Sequence, residues 1–214
     1  MGNGYMPREN NETINGIIVF STRSLKGDSF EYDSMCVLLD THEHLNNDTD
    51  LLYYNSKIKD EFGVFTTENH AVRGPMCPND GEEVQFWKEE YFEVEYFMID
   101  LDRVPDNVKY LDFLLFDYER FNGASEEVCT WDWNLYGVEI YEVKDKHDIL
   151  GKNTIVRNKP TIRDYPQRRY QTSRPKDYPH CRMGRLQRRD GGWIYVSIWE
   201  GIKNIENRLQ SYLV

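Results

Sequence analysis

The chain has few cysteines and no paired cysteine motif. Its four cysteines lie far apart, and none has the C-x-x-C spacing that is typical of zinc and redox sites: Cys36, Cys77, Cys129 and Cys181. So few cysteines in 214 residues cannot form the dense disulfide framework of a small secreted domain. We therefore expect reduced, partly buried thiols and a location inside the cell.

Long apolar runs are also absent. The longest, GIIVF at 16–20 and LDFLLF at 111–116, are much shorter than the ~20 residues that a membrane-spanning helix needs. The N-terminal stretch MGNGYMPRENNETING has no basic segment followed by an apolar one, so we expect no signal peptide. The chain is not expected to be a transmembrane protein.

Enzymatic motifs are missing. There is no G-x-x-x-x-G-K-[ST], G-x-G-x-x-G, H-E-x-x-H or G-x-S-x-G sequence. His42 and His44 have a spacing that would put two imidazoles on one strand face, but they stand in a polar turn. A zinc site there, with His70 and Cys77, would need three or four convergent ligands. We favour solvated turn histidines and expect no enzymatic activity.

The residues that are present favour β structure. Aromatic residues make up 14% of the chain, and they pack well on pleated, half-buried surfaces. Alternating or apolar runs predict strands at residues 14–24, 35–39, 51–55, 61–69, 84–102, 108–119 and 129–143, with a hairpin at 185–199. The second and third strands are predicted to pair. The strand at 108–119 is apolar on both faces, as expected of an interior strand.

This pattern predicts an all-β sandwich of about eight strands, with one short C-terminal amphipathic helix. Residues 1–13 are expected to be a polar N-terminal arm, and 14–201 a single sandwich domain. Gly and Pro predict a loop at 70–83, and a basic, Pro-rich insertion loop is predicted at 152–180. The helix is predicted within 202–214, where apolar residues have helical spacing.

Charge is unevenly distributed. The net charge is −11, yet residues 152–190 carry 12 Lys or Arg against three acids, which leaves −20 on the remainder. Such a basic stretch is compatible with a nucleic-acid arm, an acidic partner or the protein's own acidic face. Because the acidic remainder would repel phosphate, we expect no nucleic-acid partner. The predicted partner-binding residues are Arg157, Arg163, Arg168, Arg169, Arg174 and Lys176.

Carboxylates gather beside the second and third predicted strands. Glu31 and Asp33 precede one strand, Asp40 follows it, and Asp48 and Asp50 precede the next. Calcium binds six to eight oxygens, which acidic loops can supply. Asp and Asn also close turns, so the residues alone leave both interpretations open.

Four segments resemble, in order, the TerD-type tellurium-resistance family of calcium-binding stress proteins. They are EYDSMCVLLD at 31–40, NNDTDLLYYN at 46–55, MIDLDRVPDNVKYLDFLLFDYE at 98–119 and GRLQRRDGGWIYVSIWEG at 184–201. The resemblance runs from about residue 16 to residue 201. It implies a β-sandwich that binds Ca²⁺ in acidic loops at one end.

Carried over by position, the resemblance implies calcium ligands among seven residues. Glu31 and Asp33 match the family's paired aspartates, Glu68 and Asn69 match a Gly-Asp-Asn motif, and NDGEE at 79–83 matches a Gly-Asp-Asp-Glu run. The implied ligands are Glu31, Asp33, Glu68, Asn69, Asp80, Glu82 and Glu83. Glu replaces the family's Asp at two of these positions.

Two functions agree with these features. The first is a non-enzymatic structural or interaction component of a larger assembly, such as a bacteriophage virion, that contacts protein partners or copies of itself. The second is a calcium-binding module of a bacterial tellurite-resistance or stress-response system. The expected location is the cytoplasm, or the virion if the chain is phage-encoded.

Overall fold

The computed structural model describes residues 8–9, 12–24, 32–45, 50–53, 64–66, 72–73, 94–117, 136–143, 161–164 and 178–213. This part of the chain forms twelve strands and one short helix. They are β1 (Arg8–Glu9), β2 (Ile17–Ser24), β3 (Tyr32–Leu39), β4 (Leu51–Leu52), β5 (Val64–Thr66), β6 (Val72–Arg73), β7 (Val94–Asp100), β8 (Tyr110–Asp117), β9 (Tyr136–Val143), β10 (Ile162–Asp164), β11 (His180–Arg189), β12 (Gly192–Ile202) and α1 (Ile205–Gln210).

The strands form two antiparallel sheets. Sheet A has the order β1-β12-β11-β8-β3-β4, and sheet B has the order β10-β9-β2-β7-β5, with β6 also paired to β7. No helix in the described part is long and apolar enough to cross a membrane. The predicted all-β sandwich with one short helix is confirmed.

Strand β8 shows why the local sequence gives this arrangement. Leu111, Phe113 and Leu115 face the core between the sheets, whereas Leu114 and Phe116 belong to a second apolar cluster on the other face. The strand lies between β11 and β3, so both of its faces and both of its edges are covered. The predicted interior strand is confirmed.

Two predicted strand pairs are also present. β11 and β12 form a hairpin around Gly191 and Gly192, whose φ angles of 88° and 146° suit glycine. β3 pairs with β4 in antiparallel fashion, with Cys36 opposite Leu52.

Three short strands lie in segments that the sequence pattern predicted to be irregular. β1 falls within the predicted arm, β6 within the predicted loop at 70–83 and β10 within the predicted loop at 152–180. Each has only two or three residues, too few to show a period, so the neighbouring strand determines the pairing. The helix covers 205–210, and Ile202 ends β12. The domain boundaries stay predictions.

The main core fills the space between the sheets. Phe20 of β2 stacks on Phe113 of β8 with ring centroids 3.5 Å apart, and Tyr195 of β12 lies 6.2 Å from Phe20. The second cluster covers the outer face of sheet A. There Met35, Val37, Leu39, Leu114 and Phe116 pack against Ile202, Ile205 and Tyr212.

The N-terminal segment links the two sheets. Ile14 pairs with Trp193 at the edge of sheet A through two backbone hydrogen bonds of 2.7 and 2.9 Å. Gly16, at a φ of 70°, then redirects the chain into β2, which lies between β9 and β7 in sheet B.

Candidate functional site

The predicted calcium residues lie mostly outside the described part of the chain. Only Asp33 is described, near the start of β3 and partly buried. Within the described ranges no group of three or more His, Cys, Asp or Glu could hold a metal ion. The remaining six, Glu31, Glu68, Asn69, Asp80, Glu82 and Glu83, stay predictions.

A second acid stands near Asp33 at this end of sheet A. Asp117 of β8 pairs with Tyr32, and its backbone N–H donates to Nδ1 of the buried His180 at 3.1 Å. Strand alternation turns Asp33 to the side of Met35 and Asp117 to the side of Leu115. The two described acids therefore do not face the same side of the sheet.

Of the predicted partner-binding residues, the structure describes Arg163 alone. Its Nε lies 2.9 Å from Oε1 of Glu139, whose side chain is 1% exposed. Glu139 also accepts a hydrogen bond from Tyr141. Arg163 thus neutralises a buried carboxylate while its own side chain stays 56% exposed. Five other residues predicted to bind a partner lie outside the described part of the chain: Arg157, Arg168, Arg169, Arg174 and Lys176.

The two turn histidines are located as predicted. Asp40 closes their turn by accepting the backbone N–H groups of His42 and His44 at 2.7 and 2.9 Å. The hydrogen bond from His44 is the main cause of a lowered pKa of Asp40, and that from His42 adds to it. This geometry is that of a side-chain-closed turn.

Sequence reasoning missed a cluster of charges buried on the outer face of sheet A. Asp112 of β8 is fully buried and accepts hydrogen bonds from two arginines of β11. Arg185 Nε lies 2.7 Å from Oδ1, and Arg182 Nη2 lies 2.8 Å from Oδ2. Direct pairing of Arg185 with Asp112 across the strands creates this contact. We call Asp112, Arg182 and Arg185 the buried charge cluster.

Four residues surround the buried charge cluster. Glu43 accepts from Arg185 Nη1 at 2.7 Å, and the Tyr212 hydroxyl donates to Asp112 Oδ2 at 3.0 Å. Arg208 donates to Glu200 at 3.1 Å and, through Nε, to the Tyr212 hydroxyl at the same distance. Within this group three carboxylates, of Asp112, Glu43 and Glu200, therefore pair with three arginines, one of which is the C-terminal Arg208.

The pKa values follow from these contacts. Burial alone lowers the pKa of Arg185, but hydrogen bonds to Glu43 and Asp112 outweigh burial and raise it. Burial, then the charge of Asp112, raises the pKa of Tyr212 well above its usual value of 10.0. Arg185 therefore stays charged, and Tyr212 stays a neutral hydrogen-bond donor, at any physiological pH. The only sequence signal for the cluster is an acid inside the apolar run LDFLLF.

We predict that Glu43→Gln makes the free energy of unfolding depend less on pH in the acid range. The bond from Arg185 lowers the pKa of Glu43 below its ordinary 4.5. The stabilisation that ionised Glu43 gives to the folded state is therefore complete above pH 4.5, and it is lost as the pH falls through the lower, folded-state pKa. Because the side chain is half exposed, the effect is at most about 1 kcal/mol.

Urea unfolding of both proteins at several pH values between about 3 and 7 measures this prediction. The exposed acid Glu206 offers a matched control, Glu206→Gln, which should leave the profile unchanged. Parallel pH profiles for wild type and Glu43→Gln would contradict the prediction.

The two packed antiparallel sheets define the chain as an all-β sandwich protein. Its fold is TerD-like. The described structure is similar to the crystal structure of a homologue of the telluride resistance protein TerD from Streptomyces coelicolor A3(2), with a TM-score of 0.51 and 9% sequence identity. The alignment covers 89% of this chain and 92% of that one. At this identity the similarity concerns the fold alone.

A second crystal structure, of a protein of unknown function, aligns with a TM-score of 0.46 at 10% identity, over 89% of this chain and 91% of that one. No protein-family model matches the chain. The curated proteins contain no matching sequence.

Proposed function

We propose that this chain is a non-enzymatic, TerD-like structural or interaction component of a larger assembly, such as a bacteriophage particle. Its partners would be other proteins or copies of itself, in the virion or the cytoplasm. The proposal rests on the TerD-like fold together with one observation about charge: a basic segment borders a strongly acidic sandwich.

That observation concerns the position of the basic segment. β10, which lies inside this segment, is the end strand of sheet B, and Arg163 on it is exposed. Arg157 and Arg168 flank the strand in sequence, and the proposal is that they add positive charge to that of Arg163 near this edge. Opposite charges on one molecule favour contacts in which the basic edge of one copy meets the acidic surface of the next.

Not all of the basic residues are available for such contacts. Arg182 and Arg185 are held by Asp112, and Arg188 contacts Asp106 and the carbonyls of Val104 and Pro105. The proposed contact therefore does not count Arg182, Arg185 or Arg188.

Deleting the whole segment would not test the proposal cleanly. Ile162 is buried in the main core, and Asp164 accepts hydrogen bonds from Tyr195 at 2.9 Å and Trp199 at 2.8 Å. Removing β10 would therefore damage the sandwich itself.

Charge reversal outside β10 is a sharper test. We predict that the variant Arg168→Glu, Arg169→Glu, Arg174→Glu and Lys176→Glu weakens self-association at least about tenfold, since like charges would then meet at the contact. Sedimentation velocity over a range of concentrations measures it. The matched control replaces the three arginines with lysine and keeps the charge.

Each outcome of this experiment has a defined meaning. A weaker association in the charge-reversed chain, retained in the lysine control, supports the proposal. The proposal is contradicted if the wild-type chain stays monomeric at every concentration, or if the charge-reversed variant associates as strongly as the wild type.

A calcium-binding module is the second candidate, and the position of Asp33 favours it. This acid stands at the end of sheet A, beside the segment that contains Glu31. We would titrate EDTA-treated protein with Ca²⁺ by calorimetry and compare Asp33→Asn with the exposed control Asp190→Asn. Binding below millimolar concentration that only Asp33→Asn weakens supports this candidate, and no binding in that range excludes it.

A further inference from the structure

The C-terminal tail, residues 203–213, is held by contacts with a surface. Its helix α1 has only six residues, far fewer than the roughly 12–15 that an isolated helix needs in water. One cap is local, because Asn204 Oδ1 accepts the N–H of Asn207 at 2.8 Å. The rest of its stability has to come from the sheet beneath it.

The tail packs on the outside of the sandwich. Ile205 and Tyr212 are buried against the outer face of sheet A, and Leu209 is partly buried there. A backbone hydrogen bond of 2.7 Å from Leu45 to the Tyr212 carbonyl fixes the end of the tail. The main core contains none of the tail residues. The sandwich would therefore keep its main core if the tail left this face.

The buried charge cluster does not depend on the tail for its ion pairs. Tyr212 gives one of the hydrogen bonds to Asp112, and the two arginines of the buried charge cluster supply the others. Without the tail, Asp112 would still be neutralised by Arg182 and Arg185. We call the outer face of sheet A where the tail packs the tail seat. Its charges are paired whether or not the tail is in place, and the tail adds one hydrogen bond to Asp112 and an apolar cover.

We propose that copies of this chain exchange tails, so that the tail of one copy seats on the outer face of sheet A of the next. Every copy carries the same seat and the same tail, so the contacts with Asp112, Leu45 and the apolar cluster can form within a chain or between chains. Lys203 and Asn204, both exposed, would act as the hinge of this exchange. Exchange costs little when the contacts are identical and neighbouring copies are held close together.

This inference rests on the proposed function, because exchange needs neighbouring copies. It adds the segment and the surface through which copies would be linked. The basic segment would bring copies together, and exchanged tails would hold them.

Disulfide trapping between full-length chains tests the exchange. Leu45 lies beside the tail end in the seated state, and Leu213 is 56% exposed. Chains carrying Leu45→Cys are mixed with chains carrying Leu213→Cys, oxidised mildly and separated on a denaturing gel without reductant. The control mixture pairs Leu213→Cys with Asp190→Cys, an exposed hairpin position. We expect at least about ten times more mixed dimer than in the control, since only neighbouring thiols bond efficiently.

A second measurement avoids any damage that Leu45→Cys does to folding. Leu209→Asp puts a charge on the buried side of α1, outside the main core, and should weaken self-association in sedimentation several-fold. The neighbouring exposed substitution Gln210→Asp should not.

The results separate this inference from the proposed function. Self-association without mixed dimers and without an effect of Leu209→Asp refutes tail exchange and leaves the assembly proposal intact. A chain that does not self-associate and gives no mixed dimers refutes both. Mixed dimers above the control, weakened by Leu209→Asp, establish the exchange.

Discussion

Asp112→Ala is expected to lower the free energy of unfolding by about 3–5 kcal/mol, because it removes the buried counter-charge that two arginines share. The carboxylate is fully buried and accepts bonds from Arg182, Arg185 and Tyr212. Removing it leaves the guanidinium groups without their counter-charge in a place that water reaches poorly. Among the described residues Arg185 would keep Glu43 at 2.7 Å, whereas Arg182 would keep Glu200 alone, at 3.7 Å.

Urea unfolding of wild type and variant measures this effect through the shift of the midpoint. The matched control is Asp106→Ala, which removes an acid that pairs with Arg188 at 3.1 Å but is fully exposed. We expect the control to leave the midpoint unchanged. Equal midpoint shifts for Asp112→Ala and Asp106→Ala would show that a buried ion pair contributes no more to stability here than an exposed one.

A second comparison separates the charge from the packing. Replacing Asp112, Arg182 and Arg185 together by Leu, Met and Leu should recover most of the lost stability, since a buried ion pair is often no more stable than apolar residues. A triple variant as unstable as Asp112→Ala would mean that the shape of the site, and not its charge, is decisive.

Gly184→Ala is expected to have the next largest effect. A Cβ atom at this position of β11 would lie 2.3 Å from the Tyr195 hydroxyl oxygen and 2.6 Å from two ring carbons. Tyr195 is buried, stands near Phe20 and bonds Asp164, so its ring has little room to retreat. Overpacking should cost about 1–3 kcal/mol, and losing the bond to Asp164 about 1 kcal/mol more.

A double-mutant cycle tests the cause. In a Tyr195→Leu background the clash is gone, so Gly184→Ala should then cost far less than in wild type. The same cost in both backgrounds would contradict the clash and point to the backbone at the irregular pairing between Arg182 and Gly184.

Much of the fold could be predicted because its signals are local. Strand β8 and the β11–β12 hairpin show their apolar pattern and their glycines within a few residues. β1, β6 and β10 could not be predicted in the same way, because strands of two or three residues have no period. Their neighbours β12, β7 and β9 determine them through backbone pairing.

The charged residues were harder to interpret than the strands. Counting Arg182 and Arg185 as part of the basic segment overestimates the positive charge that a partner could contact. Both arginines pair with Asp112, because β11 lies beside β8. An acid inside LDFLLF indicates that a buried partner exists, but nothing nearby in sequence identifies that partner. Arg163 pairs with the buried Glu139 while its own side chain is exposed. Only the pairing of β10 with β9 reveals this ion pair.

The link between the N-terminal segment and β12 has a consequence for biosynthesis. Ile14 and Arg8 pair with Trp193 and Ser197, so almost the whole described chain must leave the ribosome before sheet A can gain its edge. Contacts between such distant residues form slowly, and unpaired strands are prone to aggregate meanwhile. The nascent chain would also expose the apolar outer face of β3 and β8 until the C-terminal residues that cover it, Ile205 and Tyr212, have been synthesised.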